Sequence, residues 1–180
     1  MRVSRCFFNQ GEIMFVKFNA VPVCIALAAA FATLPAHADD AAQCQANQGS
    51  FVTGTVSGTP QFVSSRSKRH GYPLSHTRLY VQTDDGSKLE VDIDNVFATG
   101  YSKARSIPSG LQAIADGTKV ELCGQSYADP NGKKGIHWVH TNCGATPTSK
   151  SPDGWVKIIA ADGTVGPNLE GDQDLCNIFN

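Results

Sequence analysis

His137 and His140, in Gly135-Ile136-His137-Trp138-Val139-His140, are residue types suited to proton transfer or to holding a divalent cation. On a helix their spacing would put both rings on one face. Ile136, Trp138, Val139 and Thr141 instead give the stretch strand composition, and strand residues three apart point to opposite faces. The expectation is therefore one buried, hydrogen-bonded histidine and one exposed histidine. A functional pair needs a bulge that brings both rings to one point, with Asn142 or Asp153 completing the shell. Under that alternative His137, His140 and Asp153 form the catalytic set, and His137 and His140 ligate a divalent metal. Without it, no cofactor is expected.

Two other groups have chemical potential. His76, Asp92 and Asp94 fall on facing strands, and two carboxylates about 7 Å apart with a histidine opposite can hold a cation or divide acid and base roles. The ordinary alternative is a solvated ladder of cross-strand ion pairs, each contributing about 0–1 kcal/mol. Arg66-Ser67-Lys68-Arg69-His70 is the strongly basic run of the chain. With Tyr72, Tyr80 and Trp138 as stacking surfaces, Arg66, Lys68, Arg69 and His70 can contact phosphates or acidic glycans. Nucleophilic catalysis has little to build on. No Gly-x-Ser-x-Gly occurs, and Cys143 beside His140 is read as half of a disulfide.

The elements that must position these residues follow from the pattern. From His76 to Gln82, Thr77, Leu79 and Val81 alternate with His76, Arg78 and Tyr80. After Asp84-Asp85-Gly86, Leu89, Val91 and Ile93 alternate with Glu90, Asp92 and Asp94. Pairing about that turn sets Leu79 opposite Val91, Arg78 opposite Asp92 and His76 opposite Asp94. Upstream, Phe51 to Val63 has strand composition with interior glycines, which predicts a long first strand that bends over itself. The basic run then lies in a loop between the first and second strands. Gly100, Pro108 and Gly110 break the stretch from Asn95 to Ala115, although Leu111 and Ile114 suit a short helix over 109–115. Thr118 to Cys123 resumes the strands with Val120 and Leu122 inward and Glu121 and Cys123 outward. Leu122 to Cys143 forms a hairpin around Pro130-Asn131-Gly132, and Gly154 to Ile159 is a further short strand.

Residues 1–38 are read as a signal peptide with its start at Met14: Lys17, an apolar run from Ala20 to Leu34, and Ala36-His37-Ala38 before the cleavage point. The apolar run is short of the ~20 residues that span a bilayer, and no comparable run follows. Cys24 lies inside it after Pro22-Val23, without the small residues that lipid attachment wants. About 140 residues remain, the size of one domain. The chain has 15 basic and 16 acidic residues, and the leader takes Arg2, Arg5, Lys17 and Glu12, so the remainder is slightly acidic. That balance argues against a general nucleic-acid coat protein.

Cys44, Cys123, Cys143 and Cys176 follow the leader, an even number that implies two disulfides with three possible connectivities. The absence of any C-x-x-C pair disfavours zinc. Pairing Cys44 with Cys123 and Cys143 with Cys176 would tie each terminal extension to the central hairpin. A Cys123–Cys143 link, which staples the hairpin to itself, is the main competitor.

Five strands and a small helix predict a mainly β domain over 39–180. The expected architecture is a small, coiled, antiparallel barrel of the OB type, disulfide-stapled, with a tied C-terminal extension from about 160. The Gly135–His140 stretch, followed by Pro152-Asp153-Gly154-Trp155-Val156, resembles a family of small exported bacterial proteins of uncharacterised function. That family's core runs Gly-x-x-His-Trp-Thr-His-His-Asp-Pro, with Gly-Trp after a short loop. The resemblance spans Ser50 to Ile159 and implies a compact β-rich domain in the periplasm or outside the cell. Where the family continues His-Asp-Pro, this chain has Thr141-Asn142-Cys143.

Together these readings lead to a monomeric binding module, periplasmic or secreted and without a membrane span, that holds an anionic polymer or an envelope or host protein. The alternatives are a small metal-dependent hydrolase, such as a nuclease, and an exported effector or toxin.

Overall fold

The computed structural model describes residues 36–179. The expected leader, with Met14 and Cys24, falls outside this range except at its end, where helix α1 (Ala36–Ala46) begins. Strand β1 (Ser50–Val56) bends sharply, because it pairs with two neighbours at once. Ser50 to Thr55 lie along β7 (Lys119–Ala128), while Gly54 to Val56 pair with β5 (His76–Thr83). Gly54 permits this. A Cβ there would come 2.5 Å from the Gln82 carbonyl oxygen. The expected long first strand breaks at residues 57–60, where Gly58 has φ +85° and Pro60 offers no N–H. It resumes as β2 (Gln61–Val63), which pairs with β5.

The basic run forms a two-stranded ribbon, β3 (Lys68–Arg69) and β4 (Tyr72–Pro73). β5 then pairs with β6 (Lys88–Asp94) in the register the alternation predicts: His76 faces Asp94, Arg78 faces Asp92 and Leu79 faces Val91. β7 and β8 (Lys134–His137) make the central hairpin, with Ser126 opposite Ile136. Asp129 Oδ1 accepts the N–H groups of Asn131 and Lys133 and so holds its turn.

The barrel closes through β1, β5, β6, β8, β7 and back to β1, five strands in all. All pairs are antiparallel except β6 with β8, where Glu90 lies beside Gly135 and Val91 beside Ile136. This parallel contact arises because β8 returns to the sheet from the β7 side. Inward side chains fill the barrel, with Leu79, Val81, Val91, Ile93, Val120, Leu122, Ile136 and Val156 at or below 1% exposure. The longer helix expected over 109–115 is a single 3₁₀ turn, Ser109–Leu111, yet Leu111 and Ile114 are both buried in the core as their spacing requires. Gly110 explains the short turn, since it packs directly on Thr99, whose carbonyl oxygen a Cβ would meet at 2.9 Å.

Strand β9 (Trp155–Ile159) adds to the outer side of β7. Cys123 does point outward, as the alternation requires, but the outward side is covered: Cys44–Cys123 fastens α1 against Trp155 and Phe51. Glu121 is likewise fully buried there, with Lys157 Nζ 3.2 Å from its carboxylate and 2.8 Å from Asp40. The second disulfide, Cys143–Cys176, ties down the C-terminal segment.

Candidate functional site

Asp94 ends β6, and two histidines reach its carboxylate from different parts of the chain. His76 Nε2 is 2.7 Å from Oδ1 by the cross-strand register, and His140 Nε2 is 3.2 Å from Oδ2. His140 arrives because β8 stops at His137 and Trp138 takes φ +53°, a left-handed conformation that non-glycine residues seldom adopt. The strand ends before His140, so strict alternation does not extend to it: His137, half-buried, and His140, buried and hydrogen-bonded, both line one cleft. The 3₁₀ turn Asn95–Phe97 brings the Phe97 ring flat against the His140 ring, with centroids 4.0 Å apart.

The electrostatics of these groups diverge. Burial pushes the Asp94 carboxyl up, but hydrogen bonds from His140 and His76 outweigh it and hold the group well below the usual carboxylate range. The hydrogen bond to Asp94 raises His76 above the ordinary histidine value against the opposing effect of burial. His137 has no such partner; burial lowers it, and its ring meets Tyr127 edge-on at 5.3 Å. His140 sets Nδ1 2.6 Å from the Thr141 carbonyl oxygen, and both of its nitrogens are thus directed at protein oxygens. Among the described residues, no three His, Cys, Asp or Glu side chains converge on a point where one ion could bind. Asp153 lies elsewhere, with Oδ1 accepting the Asn142 N–H.

The cleft holding these histidines is about 460 Å³. Phe97, Leu74 and Phe179 give it apolar walls, and Arg69 reaches in from the ribbon. The Arg69 guanidinium donates to the Phe179 carbonyl oxygen at 3.2 Å and lies 5.1 Å over the Phe179 ring. The Cys143–Cys176 disulfide and the turn Cys176–Ile178 hold that end of the chain in place.

The other face of the ribbon borders a second depression of about 440 Å³, lined by Arg66, Lys68, Lys103 and Arg105 with no acidic residue. Strand alternation produces the division. Lys68 and its partner Pro73 face this groove, as does Ser75, whereas Arg69, Leu74 and His76 face the cleft. Tyr72 lines neither depression; it borders a neighbouring one with Asp172 and Asp174, where Lys103 Nζ lies 4.4 Å over its ring. His70 is exposed at the tip of the ribbon and lines neither depression. Tyr80 is not part of the group. It lies farther along β5 beside Lys88 and Lys133, because the strand carries it away from the ribbon.

The structure adds residues that sequence reasoning passed over. Lys103 and Arg105 complete the groove from the irregular loop after β6; their signal was two basic residues spaced by one in a Tyr-Ser-Lys-Ala-Arg segment. Glu170 is fully buried in the C-terminal segment. Its backbone carbonyl accepts the Thr141 N–H at 3.0 Å, and neither carboxyl oxygen has a hydrogen-bond partner among the described residues. Burial, with Asp94 and Asp172 adding to it, pushes this carboxyl well above the usual range.

The two disulfides indicate an oxidising, extracytoplasmic setting, and no helix among the described residues is long and apolar enough to cross a membrane. No protein-family model matches this chain, and no curated protein matches its sequence.

Proposed function

We propose that this domain is an exported binding module for an anionic polymer, held by the fixed positive charge of the groove. One observation carries the reading. Arg66, Lys68, Lys103 and Arg105 converge on one depression, and no carboxylate among the described residues comes within ion-pair distance of any of them. The chain as a whole is slightly acidic, with a formal net charge of -1, so this concentration of charge is local and directional. Unpaired cations lining a concave surface favour a ligand with repeated negative charge, and an extended backbone can follow the groove past the ribbon.

The test is the affinity of labelled single-stranded RNA and of a sulfated glycan for the wild-type chain and for a variant with Arg66→Ala, Lys68→Ala, Lys103→Ala and Arg105→Ala together. All four positions are exposed loop or ribbon residues, so the fold should persist. A loss of binding on the order of tens-fold is expected at low salt. Equal affinity of the two proteins would sink the assignment.

A further inference from the structure

We propose that the histidine cleft cleaves single-stranded RNA by metal-independent transesterification, with His137 as the general base, His76 as the general acid and Arg69 facing the phosphate. The inference rests on the polyanion reading of the groove, and it names one polymer.

The cleft's inventory selects the chemistry. It contains proton-transfer groups, while its thiol and hydroxyls are engaged: Cys143 is closed in a disulfide, Thr141 Oγ1 accepts the Cys143 N–H, and Ser151 Oγ is hydrogen-bonded to Thr148 Oγ1. It contains a single carboxylate, Asp94, already held by two histidines. Glycoside hydrolysis, which in most families uses two carboxyl groups, therefore lacks a part. RNA supplies its own nucleophile, the 2′-hydroxyl, and needs from the protein only a base, an acid and a cation. His137 presents two ring nitrogens with no hydrogen-bond partner among the described residues, and His76 keeps Nδ1 free while Nε2 is held by Asp94.

The two rings are also poised in opposite senses, which is how one site runs acid and base chemistry together. His137 is the one lowered by burial, and His76 the one raised by its hydrogen bond to Asp94. Trp138, half-buried and held at φ +53° next to His137, offers an aromatic face for a base. The ribbon that walls the cleft also walls the cationic groove, so a bound strand is led to the histidines.

In the step itself, His137 accepts the 2′-hydroxyl proton as the 2′-oxygen bonds to phosphorus. The bond from phosphorus to the 5′-oxygen breaks, and that oxygen takes a proton from His76. The products are a 2′,3′-cyclic phosphate and a 5′-hydroxyl; no water or redox partner is consumed, and solvent restores both protonation states. The rate should be bell-shaped in pH. Its acid limb belongs to His137, faced by Asp94, Asp92, His140, His76 and Tyr127. Its alkaline limb belongs to His76, faced by Asp94, Asp92 and Arg78.

The experiment uses the full disulfide-bonded chain with EDTA present. Its substrate is a fluorescent oligoribonucleotide, compared with the same oligomer carrying a 2′-deoxy sugar at each step. Cyclic-phosphate ends should appear from the ribose substrate alone. His137→Ala and His76→Gln should each slow cleavage by about a hundredfold or more, while their affinity for the all-deoxy oligomer stays at the wild-type level. His76→Gln retains a donor toward Asp94 if His76→Ala does not fold.

RNA that is bound but uncut across pH 5–9, cleavage that needs an added divalent cation, or cleavage indifferent to His137→Ala would each overturn the proposal. Cleavage of a dinucleotide that survives loss of the four groove cations, with no change in polymer affinity, would uphold the cleft and defeat the groove.

Discussion

The groove and the cleft lie on opposite faces of the Lys68–Pro73 ribbon, and they hold charge in different ways. The groove carries four lysine and arginine side chains with no carboxylate in its lining. The cleft carries three histidines around one carboxylate, and two of those histidines are shifted in opposite directions. The first surface has the same charge across the physiological pH range and responds to salt; the second responds to pH. On the proposed reading, one strand alternation would separate holding a ligand from acting on it.

The largest expected effect tests whether the cleft depends on the C-terminal clip while the groove does not. Replacing Cys143 and Cys176 by serine reopens a loop spanning a sequence separation of 33 and should cost about 3–4 kcal/mol in urea denaturation. Affinity for polyanion should survive under conditions where the variant is folded, because the groove does not use the Phe179 segment. Parallel loss of both properties would merge the two regions into one.

Asp94→Asn removes the anion between two histidines and should cost about 1–3 kcal/mol, less than a fully buried pair because Asp94 is partly exposed. The pH window follows from the two shifts. The depressed Asp94 value means that its contribution is present above about pH 4 and is lost as pH falls toward its folded value. The raised His76 value means that its contribution is present below about pH 6.5 and is lost as pH rises through its folded value. The wild-type advantage should therefore be greatest between about pH 4 and 6.5, as chemical denaturation over that range will show.

Glu170→Met should act in the opposite direction. Removing an unpaired buried carboxyl should raise stability by about 1–3 kcal/mol. The gain should grow as pH rises above about 4.5, since the raised value of Glu170 makes the wild type lose stability there. Thermal melts at pH 5 and pH 8 measure it. The smallest effect is at Trp138: Trp138→Gly should be about 1 kcal/mol more stable than Trp138→Ala, because only glycine takes φ +53° freely. Equal stability of the two would remove the left-handed turn from the description of the cleft.

Much of this architecture was legible in the residues. The alternation on either side of Asp84-Asp85-Gly86 set His76 against Asp94, since a one-residue slip would have exposed Leu79, Val91 and Ile93. Pairing each terminal cysteine with the central hairpin anticipated both disulfides. The turn at Trp138 was not legible, because Ile136 to Thr141 has strand composition and a left-handed tryptophan leaves no compositional mark. Neither was the meeting of Lys103 and Arg105 with Arg66 and Lys68, a contact between loops that only barrel closure creates. Glu170 was passed over because a polar tail suggests solvent, whereas the Cys143–Cys176 clip draws it inside.

The most direct test of a fixed-charge groove is the salt dependence of single-stranded RNA affinity at pH 6 and at pH 8, using the all-deoxy oligomer as an uncleavable control. Four cation contacts predict a slope of log affinity against log salt of about −3, the same at both pH values and near zero in the variant lacking all four groove cations. A slope near zero in the wild type, or one unchanged by that variant, would contradict the assignment of the groove as the site that holds the polymer.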